Sequence, residues 1–328
     1  KDELLFRMLR YFIRDDKVEE VERLKAYYDE RPKVKVDPEA YAEMGGYLAD
    51  KGAAGNTKYL DDVPDVLFRA LKVRPDLPVI HYNLGRYYRM VGDRAEERKA
   101  LARGVLPLLR GDDPLTKQRM TIEIDTHTRL GELDYREKAY LDAGKRLAEA
   151  IRLVEKYQSA GLLRRERIFG TPYADLGDLQ YYVEGRLAEA RANYEKAAAN
   201  GWTEPLLDYK VGYIDYATGS WDAAIGRFLA AEDGLQSPTP PANLLFAVGN
   251  AFAQKGDWFA AQGYYLRLRD RLSTRESAIG ILRPEQDSEH RALVELMLKT
   301  DNNLGVVMVR LAERTGDRKK KSQALVSF

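Results

Sequence analysis

The three histidines are the residues of this chain best suited to proton transfer or metal binding, and their spacing favours neither role. His81, His127 and His290 are far apart, and none belongs to a metal-binding spacing pattern. The absence of cysteine excludes disulfides, thiol nucleophiles and Cys-ligated metal. We expect His81 and His127 to pack inside the fold, and we predict no catalytic, cofactor-binding or metal-binding residues.

The paired carboxylates are the next candidates for acid–base chemistry. Asp15-Asp16, Asp61-Asp62 and Asp112-Asp113 each stand at the start of a predicted helix. An acidic side chain in that position caps the helix and interacts favourably with its dipole. The chain also lacks phosphate-binding glycine loops and the nucleophile-elbow pattern. These observations predict that the protein is not an enzyme.

The composition is that of a folded chain whose charges balance. Of 328 residues, 53 are Lys or Arg and 52 are Asp or Glu, while 45% are hydrophobic. A net charge of +1 argues against a general nucleic-acid partner, and no apolar run is long enough for direct membrane insertion. Because helical periodicity is already present at Leu4, we interpret the chain as a fragment or as one whose targeting segment was removed.

The elements that must position any functional side chain come from a repeated pattern of small and aromatic residues. In each of four glycine pairs the two residues are seven apart, and three Ala-x3-aromatic matches occur in the second half of the chain. Gly185 and Gly219 are 34 residues apart. The glycine pairs are Gly45/Gly52, Gly85/Gly92, Gly212/Gly219 and Gly249/Gly256, and the matches are Ala190/Tyr194, Ala224/Phe228 and Ala261/Tyr265.

This pattern resembles the tetratricopeptide repeat (TPR), a 34-residue helix–turn–helix unit. Leu84-Gly85-x2-Tyr88 matches its first half, and Pro75 matches the end of the preceding unit. The resemblance implies an all-α, TPR-like α-solenoid of about eight antiparallel helix pairs that form a right-handed superhelix. Neighbouring units must stack because none can bury its apolar face alone.

The helix pairs in the middle of the chain are irregular, which predicts a division of the chain into two parts. The N-terminal helix pairs are expected in residues 1–160, and the C-terminal pairs, with a long terminal capping helix, in residues 161–328. One continuous superhelix is the alternative. The predicted pairs are 4–14/17–30, 39–51/62–73, 78–91/94–109, 115–130/135–159, 171–184/187–200, 204–218/221–233, 241–255/258–271 and 286–314/317–327.

The first helices of the units line the concave surface of a TPR stack, where partner peptides bind in relatives. Residues at i, i+4 and i+7 of such a helix are expected to face that groove, and tyrosine is suited to interfaces. Asp175 and Leu179 are further expected groove residues. The predicted protein-binding residues are Tyr82, Arg86, Arg89, Tyr182, Tyr209, Tyr213, Tyr216, Phe246 and Asn250.

These residues predict a protein–protein interaction scaffold that binds a protein or peptide partner in the groove. The alternative is a regulatory or adaptor TPR domain of a larger enzyme, chaperone co-factor or receptor. A carboxylate clamp built from Asn83, Arg86 and Arg89 is a further possibility, weakened by the absence of matching cations in the next unit. The sequence does not determine the partner's identity, the face that binds it, the oligomeric state or the compartment.

A second resemblance concerns the segment from Thr300 to Asp317, TDNNLGVVMVRLAERTGD. It is similar to TPR proteins of spirochaetes that belong to the periplasmic flagellar collar. This resemblance implies a periplasmic scaffold with a role in cell motility, whose partners are other flagellar collar proteins.

Overall fold

The computed structural model describes residues 2–30, 37–110, 116–236, 240–279 and 288–317. Within these residues the elements of secondary structure are all helices. The helices are α1 (Asp2–Arg14), α2 (Val18–Asp29), α3 (Pro38–Ala53), α4 (Val63–Val73), α5 (Pro78–Val91), α6 (Arg94–Arg110), α7 (Lys117–Arg136), α8 (Tyr140–Ser159), α9 (Arg167–Leu179), α10 (Leu187–Ala199), α11 (Pro205–Ala217), α12 (Trp221–Gly234), α13 (Ala242–Lys255), α14 (Trp258–Ile279) and α15 (Ser288–Thr315).

These bounds confirm the all-α prediction and most of the expected helix pairs. The segment between the predicted helices 39–51 and 62–73 contains a short 3₁₀ helix, Thr57–Leu60. One turn of π-helix, Gln180–Glu184, continues α9. After residue 317, the predicted helix over 317–327 lies outside the described part of the chain.

The chain divides into two compact units. Unit 1 comprises Lys1–Gly185 and Lys196–Trp202, and unit 2 comprises Arg186–Glu195 and Thr203–Phe328. The division expected near residue 160, and the handedness of a superhelix, stay predictions. Within unit 1 the odd-numbered helices contact one another in sequence, from α1 to α9, and within unit 2 α11 contacts α13 and α13 contacts α15. Each unit therefore presents a face built from odd-numbered helices.

A glycine in the middle of these helices lets the second helix of each pair approach closely. A Cβ added at Gly85 would lie 2.6 Å from Cδ2 of Leu101, and one at Gly249 would lie 2.7 Å from Cε1 of Tyr265. Such distances are too short for carbon atoms, whose contacts are most favourable at about 3.5–4.0 Å. The Ala-x3-aromatic residues of the second helices are fully buried, as the pattern predicted.

The residues after the first helices adopt the left-handed conformation that ends a helix. Gly92 has φ 81° and Gly256 has φ 85°. Asp16 takes the same role after α1 with φ 54°. The expectation that Asp15 and Asp16 cap a helix start is therefore wrong, because Lys17 is the N-cap of α2. The carboxylate of Asp16 accepts a hydrogen bond of 2.9 Å from the Tyr47 hydroxyl and pairs with Lys51.

Buried ion pairs join α6 to α7, the first helix of the following pair. Glu97 is 1% exposed and its Oε1 accepts a hydrogen bond of 2.5 Å from Nε of Arg129. Asp134 accepts one of 2.6 Å from Nη1 of Arg98. Glu97 occupies the position of the small alanine in the TPR pattern, so here a charged contact replaces a packing contact between helices.

Candidate functional site

Two adjoining cavities lie on the odd-numbered face of unit 1. Their volumes are about 260 and about 550 Å³, and Glu43, Val79, Gln118 and Ile122 line both of them. We call the two cavities together the unit 1 groove. Its other lining residues are Arg10, Ile13, Glu39, Gly46, Tyr47, Asp50, Leu77, Pro78, Tyr82, Asn83, Arg86, Thr116, Lys117, Arg119 and Thr121.

Helix α5 supplies two of the residues that the sequence predicted for a binding groove. Tyr82 and Arg86 line the larger cavity, whereas Arg89 is exposed one turn further along the helix. The Tyr82 hydroxyl donates a hydrogen bond of 2.8 Å to Oδ2 of Asp125. Burial, reinforced by the Asp125 carboxylate, raises the pKa of Tyr82, so the hydroxyl stays protonated and its ring is held in place.

Carboxylates of the same unit already pair with several cations of the unit 1 groove. Arg10 donates hydrogen bonds of 2.7 and 2.9 Å to Oε1 of Glu43, and this interaction raises the pKa of Arg10. Arg86 pairs with Asp50, and Lys117 lies 2.7 Å from Oε1 of Glu166. Because the charges of the cavity wall are paired with one another, they offer directional polar contacts but create no strong positive or negative potential.

The proposed carboxylate clamp is not assembled, because Asn83 is committed elsewhere. Its side chain is buried, and Nδ2 donates a hydrogen bond of 2.9 Å to the carbonyl of Ala42 on α3. Nη1 of Arg86 is 3.4 Å from Oδ1 of Asn83. Asn83 therefore holds α5 against α3 rather than presenting its amide to a partner.

The apolar part of the unit 1 groove comes from three helices. Leu77, Pro78 and Val79 lie at the start of α5, Ile122 lies on α7 and Ile13 on α1. The sequence did not predict the contribution of α7. Gly131 of α7 matches Gly85 of α5, because each approaches a leucine of the following helix, so Pro78 corresponds to residue 124. Residues 117–123 thus extend α7 by two turns beyond the repeat pattern.

The tyrosines predicted on α11, in unit 2, have different environments. Tyr213 is 43% exposed. Tyr209 is half-buried, with its ring centre 5.8 Å from that of Phe228, and Tyr216 is half-buried at 5.2 Å from Trp221. Tyr209 and Tyr216 thus also contribute to packing, while Tyr213 presents the largest accessible surface of the three. Their role in binding stays a prediction.

Phe246 and Asn250 lie on α13 and contact α14 and α15 within unit 2. The ring of Phe246 is half-buried, 6.2 Å from that of Tyr265. Oδ1 of Asn250 accepts hydrogen bonds of 2.6 Å from the Tyr265 hydroxyl and 2.9 Å from Nδ2 of Asn303. This network fixes the amide of Asn250, and its contact with a partner stays a prediction.

The π-turn changes the register at the end of α9. Tyr182 lies in this turn and is 59% exposed. Leu179 is fully buried, so the expectation that it faces the groove is wrong. Asp178 instead lines a separate cavity of about 370 Å³ with Asp175 and Glu132. The sequence signal for this shift is the spacing of eight residues, rather than seven, from Gly177 to Gly185.

The histidines whose side chains are described are packing residues. His81 is buried, and its Nε2 lies 2.7 Å from the carbonyl oxygen of Pro75. His127 is also buried, and burial lowers the pKa of both imidazoles. The described residues contain no group of three or more His, Asp or Glu side chains arranged to hold a metal ion. Among the described helices, none has the length and apolar character needed to cross a bilayer.

The fold is similar to those of solved proteins of low sequence identity. The apo form of RapI gives a TM-score of 0.55 at 10% identity, covering 99% of this chain and 96% of that protein. PilF of Pseudomonas aeruginosa gives 0.51 at 16% identity, covering 71% and 90%. A tetratricopeptide repeat protein from Parabacteroides merdae gives 0.47 at 14% identity, covering 91% and 98%. No family model matches the chain, and no curated protein matches it.

These likenesses bear on the fold alone. Stacked helical hairpins, mid-helix glycines at close helix contacts and buried Ala-x3-aromatic residues define a TPR-like all-α solenoid architecture in the described residues. This architecture is typical of protein–protein interaction scaffolds, since stacked repeats create extended surfaces for other chains.

Proposed function

We propose that this protein is an interaction scaffold that binds a segment of a partner polypeptide in the unit 1 groove. The observation that carries the proposal is the pair of adjoining cavities lined by α1, α3, α5 and α7. The larger cavity, at about 550 Å³, lies within the range of about 300–1,000 Å³ that is usual for ligand sites. Tyr82 and Arg86 are the groove residues that sequence and geometry both favour.

The lining indicates the chemistry of the bound segment. Val79 and Ile122 form an apolar strip shared by both cavities, and Gln118 is an exposed polar neighbour. Paired charges surround the strip. A segment with a few apolar side chains and a mixed polar surface would bury the strip and exchange hydrogen bonds with the rim. Strongly basic or acidic ligands gain little from such a balanced wall.

A second contact surface is proposed on unit 2, where Tyr213 is the exposed member of the α11 tyrosines. Tyrosine combines a large rigid ring with a hydroxyl, so it binds at little cost in side-chain entropy. In unit 1, Tyr182 and Arg89 are further proposed contacts outside the two cavities, because both are exposed. The proposal for unit 2 is independent of the unit 1 groove and can fail without it.

The test is a selection of binding peptides from a displayed random library. Peptides selected on the wild-type protein should lose at least 10-fold in affinity for Gln118→Trp, because the indole fills the space shared by the two cavities. Gln118 is exposed, so the fold should not change. The matched control is Ala102→Trp, on an exposed position of α6 outside the cavities. Peptides that bind Gln118→Trp and wild type equally would refute the groove.

We also propose, on the resemblance of residues 300–317, that the partners are proteins of a spirochaete periplasmic flagellar collar. The segment forms the second half of α15 and the residues after it. Asn302 is exposed, and Asn303 bonds to Asn250. Deleting the gene in the organism that encodes it should remove collar density around the motor in electron cryotomograms. An intact collar and normal motility would reject this assignment while leaving the scaffold role standing.

A further inference from the structure

The chain between α8 and the first turn of α9 exposes a short basic stretch. Leu163 and Phe169 are buried in one apolar cluster with Tyr157 of α8, so they anchor the chain on either side of residues 164–168. Three arginines between these anchors are exposed, and the described part of the chain contains no hydrogen-bond or ion-pair partner for their side chains. They are Arg164, Arg165 and Arg167, and we call residues 164–167 the arginine segment.

The arginine segment adjoins the unit 1 groove through Lys117, which lines the larger cavity. Nζ of Lys117 lies 2.7 Å from Oε1 of Glu166, and Glu166 stands between Arg165 and Arg167 in the chain. Because consecutive Cα atoms are about 3.8 Å apart, the backbone of both arginines is directly beside this ion pair. A polypeptide that leaves the larger cavity past Lys117 therefore meets the arginine segment, within the same compact unit.

Cations are in excess at this end of the groove, in contrast to the paired charges inside it. Lys117 and residues 164–167 together contain four cations and one carboxylate. Carboxylates further along the adjacent helices are engaged elsewhere, since Glu123 of α7 accepts a hydrogen bond of 2.6 Å from the Tyr157 hydroxyl and Glu155 of α8 pairs with a lysine of α10. The uncompensated positive charge is complementary to an acidic ligand.

We propose that the partner segment in the unit 1 groove carries a short acidic stretch beside its apolar part, and that Arg164, Arg165 and Arg167 bind this stretch. The inference rests on the proposed function, because the groove supplies the adjoining part of the site. Arginine suits this role, since its planar guanidinium can bind one carboxylate through two hydrogen bonds. An extended chain advances about 3.3–3.6 Å per residue, so three or four acidic residues match the length of the arginine segment.

A polypeptide fits this surface better than nucleic acid or a lipid bilayer. Residues 160–168 contain no aromatic side chain on which a base could stack. Basic segments that bind anionic lipids usually have about 4–8 Lys or Arg residues, whereas this connection has three. Leu162 and Ile168 flank the arginines and are 48% and 38% exposed, so aliphatic side chains of a partner polypeptide can contact them.

The probe is a peptide selected on the wild-type groove, in which any terminal Asp or Glu is replaced by serine and to which fluorescein is attached. It is synthesised unmodified, with three glutamates added at its N-terminus, and with three added at its C-terminus. In fluorescence anisotropy one glutamate form should bind the full chain at least threefold more tightly than the unmodified peptide, a gain typical of a few exposed ion pairs. The gain should shrink when NaCl rises from about 50 to about 500 mM.

The gain from the glutamates should disappear in the triple variant Arg164→Ala/Arg165→Ala/Arg167→Ala, while binding of the unmodified peptide stays the same. The matched control also removes three exposed cations of unit 1, none of which lines either cavity. This control, Lys72→Ala/Arg94→Ala/Arg103→Ala, should keep the full gain, which separates a local contact from an effect of net charge. Circular dichroism of both variants checks their folding.

Two results would overturn the inference and leave the groove proposal standing. They are an absence of gain from glutamates at either end, and a gain that survives in the arginine triple variant, while Gln118→Trp still weakens the unmodified peptide. Equal binding of that peptide to Gln118→Trp and wild type would refute the groove and the inference with it. Binding of phosphatidylserine vesicles that requires the three arginines, without any gain from the glutamates, would assign the arginine segment to a lipid surface instead.

Discussion

Replacing Gly249 with alanine tests the packing rule on which the helix pairs depend. The new Cβ would lie 2.7 and 2.9 Å from two ring carbons of Tyr265, about 1 Å inside favourable contact. The ring cannot move easily, because Tyr265 is 1% exposed and its hydroxyl bonds to Asn250 at 2.6 Å. Overpacking of this kind costs about 1–3 kcal/mol.

The matched control is Gly263→Ala on α14, where a Cβ meets nothing within 4 Å. Alanine is favoured over glycine inside a helix by about 1 kcal/mol, so this variant should be more stable than wild type. The same gain offsets part of the clash at Gly249, which leaves a net loss of about 0–2 kcal/mol. The unfolding free energies of the two variants should therefore differ by about 1–3 kcal/mol, with Gly263→Ala the more stable.

The assay is urea unfolding followed by circular dichroism at 222 nm, combined with hydrogen exchange of the α13 and α14 amides. The exchange data locate the change in unit 2, since a chain with two compact units need not unfold in one step. Lower protection of α13 in Gly249→Ala and higher protection of α14 in Gly263→Ala are expected. Equal shifts of both variants in one direction would refute the close contact between α13 and α14.

Three further changes address the buried charges, the histidines and the tyrosine face. Glu97→Ala should cost about 3 kcal/mol of unfolding free energy, because it leaves Arg129 with only part of its pairing. Replacing the half-buried neighbour Glu96 with alanine should cost under about 1 kcal/mol in the same urea titration. Burial lowers the pKa of His127, so the unfolded state binds the proton more readily than the folded state. The free energy of unfolding should therefore fall as pH drops below about 6.5. His127→Leu should reduce this dependence of stability on pH, and an unchanged dependence would contradict the prediction. Tyr213→Ala should change the free energy of unfolding by under about 1 kcal/mol and weaken partner binding, whereas Tyr265→Ala should lower the free energy of unfolding by about 3–5 kcal/mol. A similar loss of stability in both variants would show that Tyr213 is a core residue.

The helix pairs were predictable because the signals for them are local. A glycine that needs φ > 0 ends the helix, and a second glycine seven residues earlier marks the contact with the next helix. Gly85 and Gly92 both behave in this way. After α1, Asp16 takes the place of the glycine. The sequence analysis assigned Asp16 to the start of the next helix, because aspartate is also common at helix starts.

The unit 1 groove was only partly predictable, because its walls depend on where helices begin and on single-residue insertions. Tyr82 and Arg86 were found from the repeat spacing. Gln118 and Ile122 were missed because they belong to the two extra turns of α7, which no repeat position predicts. Leu179 was placed on the wrong face because the π-turn after it adds one residue.

The most direct test of the groove is site-specific photo-cross-linking in the native cell. Benzoylphenylalanine at position 118 should cross-link a partner chain, and the cross-linked partner peptide should carry apolar residues that compete for the groove when synthesised. Benzoylphenylalanine at position 102, on the exposed side of α6, should yield no such product. Cross-links of the same partner at equal yield from both positions, or from position 102 alone, would contradict binding in the unit 1 groove.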